Sequence, residues 1–189
     1  MGGEYNLAAT ENHFLEGTRL YLRDVRLADV DDAYYRWMND PDVTRYLETR
    51  FYPNSQETLR DYVSSKVGDH ENVFLAIVLK ETNQQIGNIK LGSINWVHRI
   101  ADIGVLIGKR ECWGQGYATE AIRLVVDYAF SMLNLRKLTA GCYGSNQGSI
   151  RAFEKVGFSV EGVRKQHYSY NGEYVDGIML GLIRSEAIQ

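Results

Sequence analysis

The chain has 189 residues, 44% apolar and 24% charged, with a net charge of −3 from 21 basic and 24 acidic side chains. That length suits one domain around one core, and the composition excludes a disordered or fibrous chain. The mild negative charge argues against a dedicated nucleic-acid binder, two cysteines and four scattered histidines against a disulfide framework or a metal site, and the lack of a ~20-residue apolar run against a membrane span.

Residues 1–18 read as an N-terminal tail without the basic and apolar regions of a secretory signal. Gly2 would suit a myristoylation start, but Asn6 stands where Ser or Thr is expected. The expectation is a cytoplasmic protein with reduced thiols. A single domain is expected over 19–183, with a short tail over 184–189. Arg19-Leu20-Tyr21-Leu22-Arg23 alternates like a strand. Asp29 is placed to cap a helix through Trp37, which Asn39-Asp40-Pro41 ends. A helical turn over 43–47 follows, then a helix over 56–67 begun by Ser55 and stopped by Gly68.

The middle of the chain is β. Apolar runs over 73–79, 86–94 and 100–107 read as an antiparallel meander. Ile122, Val125, Val126, Ala129, Phe130 and Leu133 then form one helical stripe within 119–133. A strand over 137–142 and a short helix over 149–156 come next. Strands over 158–168 and 173–182 flank Asn171-Gly172, a strong hairpin signal. The sum is a mixed α/β, or α+β, domain.

Gly114-Gln115-Gly116 falls between a strand and an amphipathic helix. Glycines admit a ligand close to the backbone, and a helix start offers unsatisfied N–H groups and partial positive charge. Together they suit an anion, most often phosphate, although a tight turn alone would also explain them. Two rivals fail on spacing. No Gly-x-x-x-x-Gly-Lys-Ser/Thr run exists, and Thr119 stands where a dinucleotide fingerprint needs its third glycine.

Trp113-Gly114-Gln115-Gly116-Tyr117-Ala118-Thr119-Glu120-Ala121 resembles the acetyl-CoA pyrophosphate loop of the GNAT superfamily of N-acetyltransferases. Asn146-Gln147-Gly148-Ser149-Ile150-Arg151-Ala152-Phe153-Glu154-Lys155-Val156-Gly157-Phe158 resembles a second family block. Trp37 to Leu47 is similar to the N-terminal region of the branch holding ribosomal-protein alanine, spermidine and nucleotide-aminosugar N-acetyltransferases. The resemblance implies a mostly antiparallel central sheet, splayed between its middle strands and flanked by helices. Acetyl-CoA would be co-substrate, held by Trp113, Gly114, Gln115, Gly116, Tyr117 and Ala118, by the backbone of Val105, Leu106 and Ile107, and by Asn146. Two positions depart from the family pattern. Trp113 replaces the usual Arg or Gln, and Phe153 stands where a tyrosine often protonates the leaving thiolate.

An amine must lose a proton before it attacks, and the leaving thiolate must gain one. Asp102 is the candidate base; it shares a strand face with Gly104, which leaves room for a substrate. The bland alternative is a solvated carboxylate paired with Arg99. Ser149 and Tyr143 are candidates for the thiolate's proton, and Ser149 could equally cap its helix. Asn146 could instead serve only to turn the chain. Glu48, Tyr46, Trp96 and His98 are candidate acceptor contacts, and a carboxylate such as Glu48 suits a cationic amine. The expected partner is a small-molecule primary amine, with no nucleic acid, membrane or metal. The segment from Asn88 through Arg99 resembles members linked to aminosugar modification. A protein N-terminus, a polyamine or a non-catalytic acyl-CoA sensor are the alternatives, and a homodimer is compatible with each.

Overall fold

The computed structural model describes residues 13–185. The myristoylation and signal readings at the N-terminus therefore lie outside the described residues. One sheet holds eight strands: β1 (Leu15–Glu16), β2 (Leu20–Asp24), β3 (Val73–Leu79), β4 (Gln85–Asn95), β5 (Ile100–Ile107), β6 (Lys137–Tyr143), β7 (Ser159–Tyr170) and β8 (Glu173–Ile183). Their spatial order is β1-β2-β3-β4-β5-β6-β8-β7. Every neighbouring pair is antiparallel except β5 and β6, which run parallel. The helices are α1 (Asp32–Asn39), α2 (Pro41–Thr44), α3 (Gln56–Ser64), α4 (Tyr117–Ser131) and α5 (Gln147–Glu154). This is the mixed, mostly antiparallel sheet flanked by helices that the resemblance implies.

Strand alternation sends apolar residues to both faces. Leu20 and Leu22 of β2, Ile103 of β5 and Leu138 of β6 pack with Ile122, Val125 and Val126 of α4 and Ile150 and Phe153 of α5. Tyr21, Ala76 and Val78 face the other way, onto Tyr34 and Met38 of α1 and Leu59 and Val63 of α3. Burying each large aliphatic side chain contributes about 1.5–3 kcal/mol.

Several boundaries differ from the sequence reading. Leu15 and Glu16, placed in the tail, pair with Leu22 and Tyr21. Asp29 caps no helix. It ends a 3-10 turn, and its carboxylate takes both terminal nitrogens of buried Arg23 at 2.7 and 2.8 Å. A buried guanidinium needs that partner more than a helix needs a second cap. Asp31 caps α1 instead, accepting from the Ala33 and Tyr34 amides at 2.9 Å each. The third helix ends at Ser64, before Gly68.

Candidate active site

The β5–β6 seam is short. Pairing joins Ile100, Ala101 and Asp102 to Lys137, Leu138 and Thr139, and then stops. Beyond it, β5 stays on β4 as far as Ile107, and β6 stays on β8 as far as Tyr143. A wedge-shaped gap therefore opens between β5 and β6 just past Asp102. The Gly108 amide bonds to Ile86 on the β4 side. By antiparallel alternation Val105 aims its backbone N–H and C=O into the gap. Ile107 aims the same way, but its carbonyl already accepts the Trp113 indole at 2.7 Å.

The gap leads to the loop before α4. Gly114 and Gly116 have φ of +72° and +83°, where a Cβ is strained. Gly116 is the N-cap of α4 and supplies no side chain, so the first amides of a 15-residue helix are left uncapped beside a bare backbone. Arg19 anchors the loop from below. It donates to the Gln115 carbonyl at 2.9 Å and to Glu120 Oε2 at 2.9 Å, and lies 4.5 Å from the centre of the Tyr117 ring. Burial alone would raise the Glu120 carboxyl, but the Arg19 hydrogen bonds and charge outweigh it and hold it below the ordinary carboxylate range. Free backbone N–H groups are thus left at the loop with no side-chain cap from Gly116.

At the closed end of the gap, Asp102 Oδ2 accepts from Thr139 Oγ1 at 3.0 Å. A Cβ on Gly104 would meet nothing within 4 Å, so the face beside Asp102 is open. Desolvation by the surrounding walls pushes the Asp102 carboxyl up, against smaller downward pulls from Thr139 and Lys90. Asp102 is nonetheless exposed to solvent, and water there limits the rise. Arg99 is not its partner; the guanidinium turns to the Asn134 carbonyl at 2.8 Å.

At the open end, residues 46–50 reach across the gap. Tyr143 donates to Glu48 Oε1 at 2.5 Å and accepts from Arg50 Nη1 at 2.9 Å. Burial first, and then the Glu48 hydrogen bond, hold the Tyr143 hydroxyl above the ordinary phenol range. Tyr46 donates to the Ser145 carbonyl at 3.2 Å and stacks on Tyr170 at 5.3 Å. Tyr168 stacks on Tyr143 at 4.0 Å. On α5, Asn146 is the cap, accepting from the Ser149 amide at 3.2 Å. Ser149 is therefore not the cap; its Oγ lies 3.4 Å from Cys142 Sγ. Phe153 is buried against Phe158 and carries no proton to give.

Comparison with known proteins decides the family. The model of the acetyltransferase (GNAT) domain matches residues 19–159. The chain belongs to the GNAT acetyltransferase family. It is 32% identical over 173 residues to the N-acetyltransferase p20 of Bacillus licheniformis, covering 89% of this chain and 94% of that one. It is also 33% identical over 117 residues to the spermidine N(1)-acetyltransferase of Escherichia coli K12, covering 62% of each. The solved spermidine N-acetyltransferase of Vibrio cholerae, in complex with CoA and spermine, superposes with a TM-score of 0.81. That match is 24% identical and covers 92% of this chain and all of the other, so it speaks to the fold.

This GNAT domain gathers some of the residues singled out from sequence and separates others. Val105, Asp102 and the loop from Trp113 to Ala118 border one gap, whereas Leu106, opposite Asn88, turns its backbone groups to β4 by the same alternation and offers none to the gap. Glu48, Tyr46 and Tyr143 meet at its open end. Trp96 and His98 lie in the β4–β5 turn, beyond its closed end. Four contributors escaped the sequence reading: Arg19, Arg45, Arg50 and Tyr170. The arginines sit in ordinary mixed-charge segments and give no periodic signal. Tyr168 and Tyr170 did carry one: two tyrosines at strand spacing just before Asn171-Gly172 mark one face of a hairpin. Among the described residues no helix is long and apolar enough to cross a membrane.

Proposed function

We propose that this N-acetyltransferase moves the acetyl group of acetyl-CoA directly to a primary amine in a ternary complex. The observation that carries the reading is the β5–β6 gap, closed at Asp102 and opening toward the uncapped start of α4. Backbone amides around Gly114, Gly116, Tyr117 and Ala118 bind the pyrophosphate, with Trp113 and Gln115 shaping the loop. The thioester arm adds to the free edge of β5 at Val105, and a backbone N–H there polarises the carbonyl. The Ile107 carbonyl, engaged by Trp113, holds the loop instead. Asp102 takes the amine's proton, directly or through water. Ser149, whose hydroxyl proton can rotate toward the gap, passes a proton to the leaving CoA thiolate and takes one back from water in the same step. Tyr143 suits that role less, because its proton is committed to Glu48. Asn146 helps through the α5 cap that fixes Ser149.

The acceptor is a small-molecule amine, with an aminosugar as the first choice from the resemblance over Asn88 to Arg99. The Escherichia coli and Vibrio cholerae relatives named for spermidine favour a polyamine as the second reading. A further Vibrio cholerae structure is described as dodecameric, which supports an oligomer here beyond the dimer first considered. A panel of nucleotide aminosugars, spermidine and N-terminal peptides, assayed by release of free thiol from acetyl-CoA, tests the reading. Amine-dependent thiol release is the expected result. Tight acetyl-CoA binding with no amine-dependent release would make the chain a sensor.

A further inference from the structure

A cavity of about 410 Å³ lies beside the open end of the gap, between α2, the 48–53 segment and the tip of the β7–β8 hairpin. That volume suits a small molecule. Its walls include Pro41, Phe51, Tyr52 and Tyr170, and its charged lining residues are Arg45 and Arg50. No Asp or Glu lines it among the described residues. Neither arginine is paired with a carboxylate there. Arg50 is held by neutral oxygens: the Leu47 carbonyl at 3.1 Å, the Tyr143 hydroxyl at 2.9 Å and the Ser169 carbonyl at 2.8 Å. Arg45 is exposed and rests between the rings of Tyr46, at 5.0 Å, and Trp113, at 5.7 Å. Neither guanidinium thus has a carboxylate in direct contact, although Glu48 shares the Tyr143 hydroxyl with Arg50; Arg45, placed by aromatic rings, is the freer charge.

Two cations on a wall that no acid lines repel a polycation and attract an anion. The cavity adjoins the open-end cluster through its wall. Tyr170 lines it and stacks on Tyr46, whose neighbour Glu48 meets Tyr143 at the end of β6. We infer that the cavity is the acceptor's specificity pocket, and that the acceptor is an amine carrying a phosphate or carboxylate group that Arg45 and Arg50 hold. The amine points into the gap while the anion stays in the cavity.

This inference rests on the transferase reading, and the test separates the two. Matched acceptors differ by one anionic group: glucosamine 6-phosphate against glucosamine, and Ala-Asp-amide against Ala-Asn-amide. Spermidine is the polycation control. The expected result is at least a 10-fold higher kcat/KM for the anionic member of one pair, which also says whether phosphate or carboxylate is read. Arg45→Gln should reduce that ratio at least 10-fold, and Arg45→Lys should restore part of it. Arg50 ties three segments together, so Arg45, on the exposed end of α2, is the variant to read. Calorimetry with the same compounds gives a readout that needs no turnover. If acetyl-CoA binds but no amine is acetylated, the transferase reading fails; the pocket stands only if glucosamine 6-phosphate or Ala-Asp-amide still binds at least 10-fold more tightly than its neutral match. Equal affinity within both pairs, a preference for spermidine, or a ratio unmoved by Arg45→Gln overturns the inference.

Discussion

Asp102 occupies the last position of β5 that pairs with β6, where the gap between the two strands begins. Its carboxylate is fixed by Thr139 and faces the space that Gly104 leaves empty. Asp102→Asn keeps the shape and the Thr139 hydrogen bond but cannot accept a proton. Turnover is expected to fall about 10²-fold or more, the scale of a lost general base, with acetyl-CoA affinity unchanged. Raising the pH should shrink the loss, because more amine is then already neutral. A rise in the acceptor's KM at constant kcat would instead make Asp102 an anchor for ammonium. The same variant reports on stability. Desolvation raises the folded-state value, so ionising Asp102 costs stability that is fully present below the unfolded value and lost as pH climbs through the folded one. The melting temperature of the Asn variant should therefore rise relative to wild type as pH climbs through the ordinary carboxylate range and above it. A difference that does not change with pH would show that the carboxyl is not perturbed. Ser149→Ala makes a separate point. Because Asn146 is the α5 cap, the variant should melt within a degree or two of wild type, consistent with the ±0.5 kcal/mol scale of changes outside special features. Turnover should drop more than acetyl-CoA affinity does. Unchanged turnover would remove Ser149 from the proton path.

At the scale of elements, the start of α4 carries the site. Gly116→Asp puts a carboxylate where uncapped amides face the pyrophosphate, and also places a side chain at φ +83°. Gly116→Asn imposes similar backbone strain without the charge, since both residues tolerate the left-handed region moderately. Calorimetry should show acetyl-CoA binding abolished in the Asp variant and only weakened in the Asn variant. Equal losses in the two would assign the effect to strain, and no loss in either would move the anion elsewhere. This element was legible in sequence because its signals agree: a strand run, two glycines and a long apolar stripe. The meander was legible for the same reason, with β5 found at its observed bounds. The α1 start was not. Asp29, Asp31 and Asp32 can each cap a helix, and only the burial of Arg23 takes Asp29 out of the contest. The open-end cluster was half legible. Glu48, Tyr46 and Tyr143 stood out, but Arg45, Arg50 and Tyr170 join them largely through contacts far apart in the chain, 119 residues between Arg50 and Ser169. No local pattern encodes such contacts.

The whole molecule is two sheet halves meeting at a three-residue seam. Strands β1 to β5 form one half and β6, β8 and β7 the other. Past the seam, α4 and α5 hold the halves together on one face, and the Tyr46, Glu48 and Arg50 contacts bridge the open end. An arm of acetyl-CoA lying in the gap would complete the sheet and join the halves along the edge of β5. The Val105 amide, aimed into the gap, is the group that must change partner. Its hydrogen exchange should be fast in the free protein and slow at least 10-fold with saturating acetyl-CoA, while the paired Ala101 and Leu138 region changes little. Ligand at about 100 times its dissociation constant adds about 2.7 kcal/mol of stability. For a domain of this length that corresponds to a melting shift of about 5–10 °C. A Val105 amide equally protected with and without acetyl-CoA would mean that β5 and β6 are joined along their length in solution. The co-substrate would then have to bind outside the gap, and the roles given to Val105 and Asp102 would fall together.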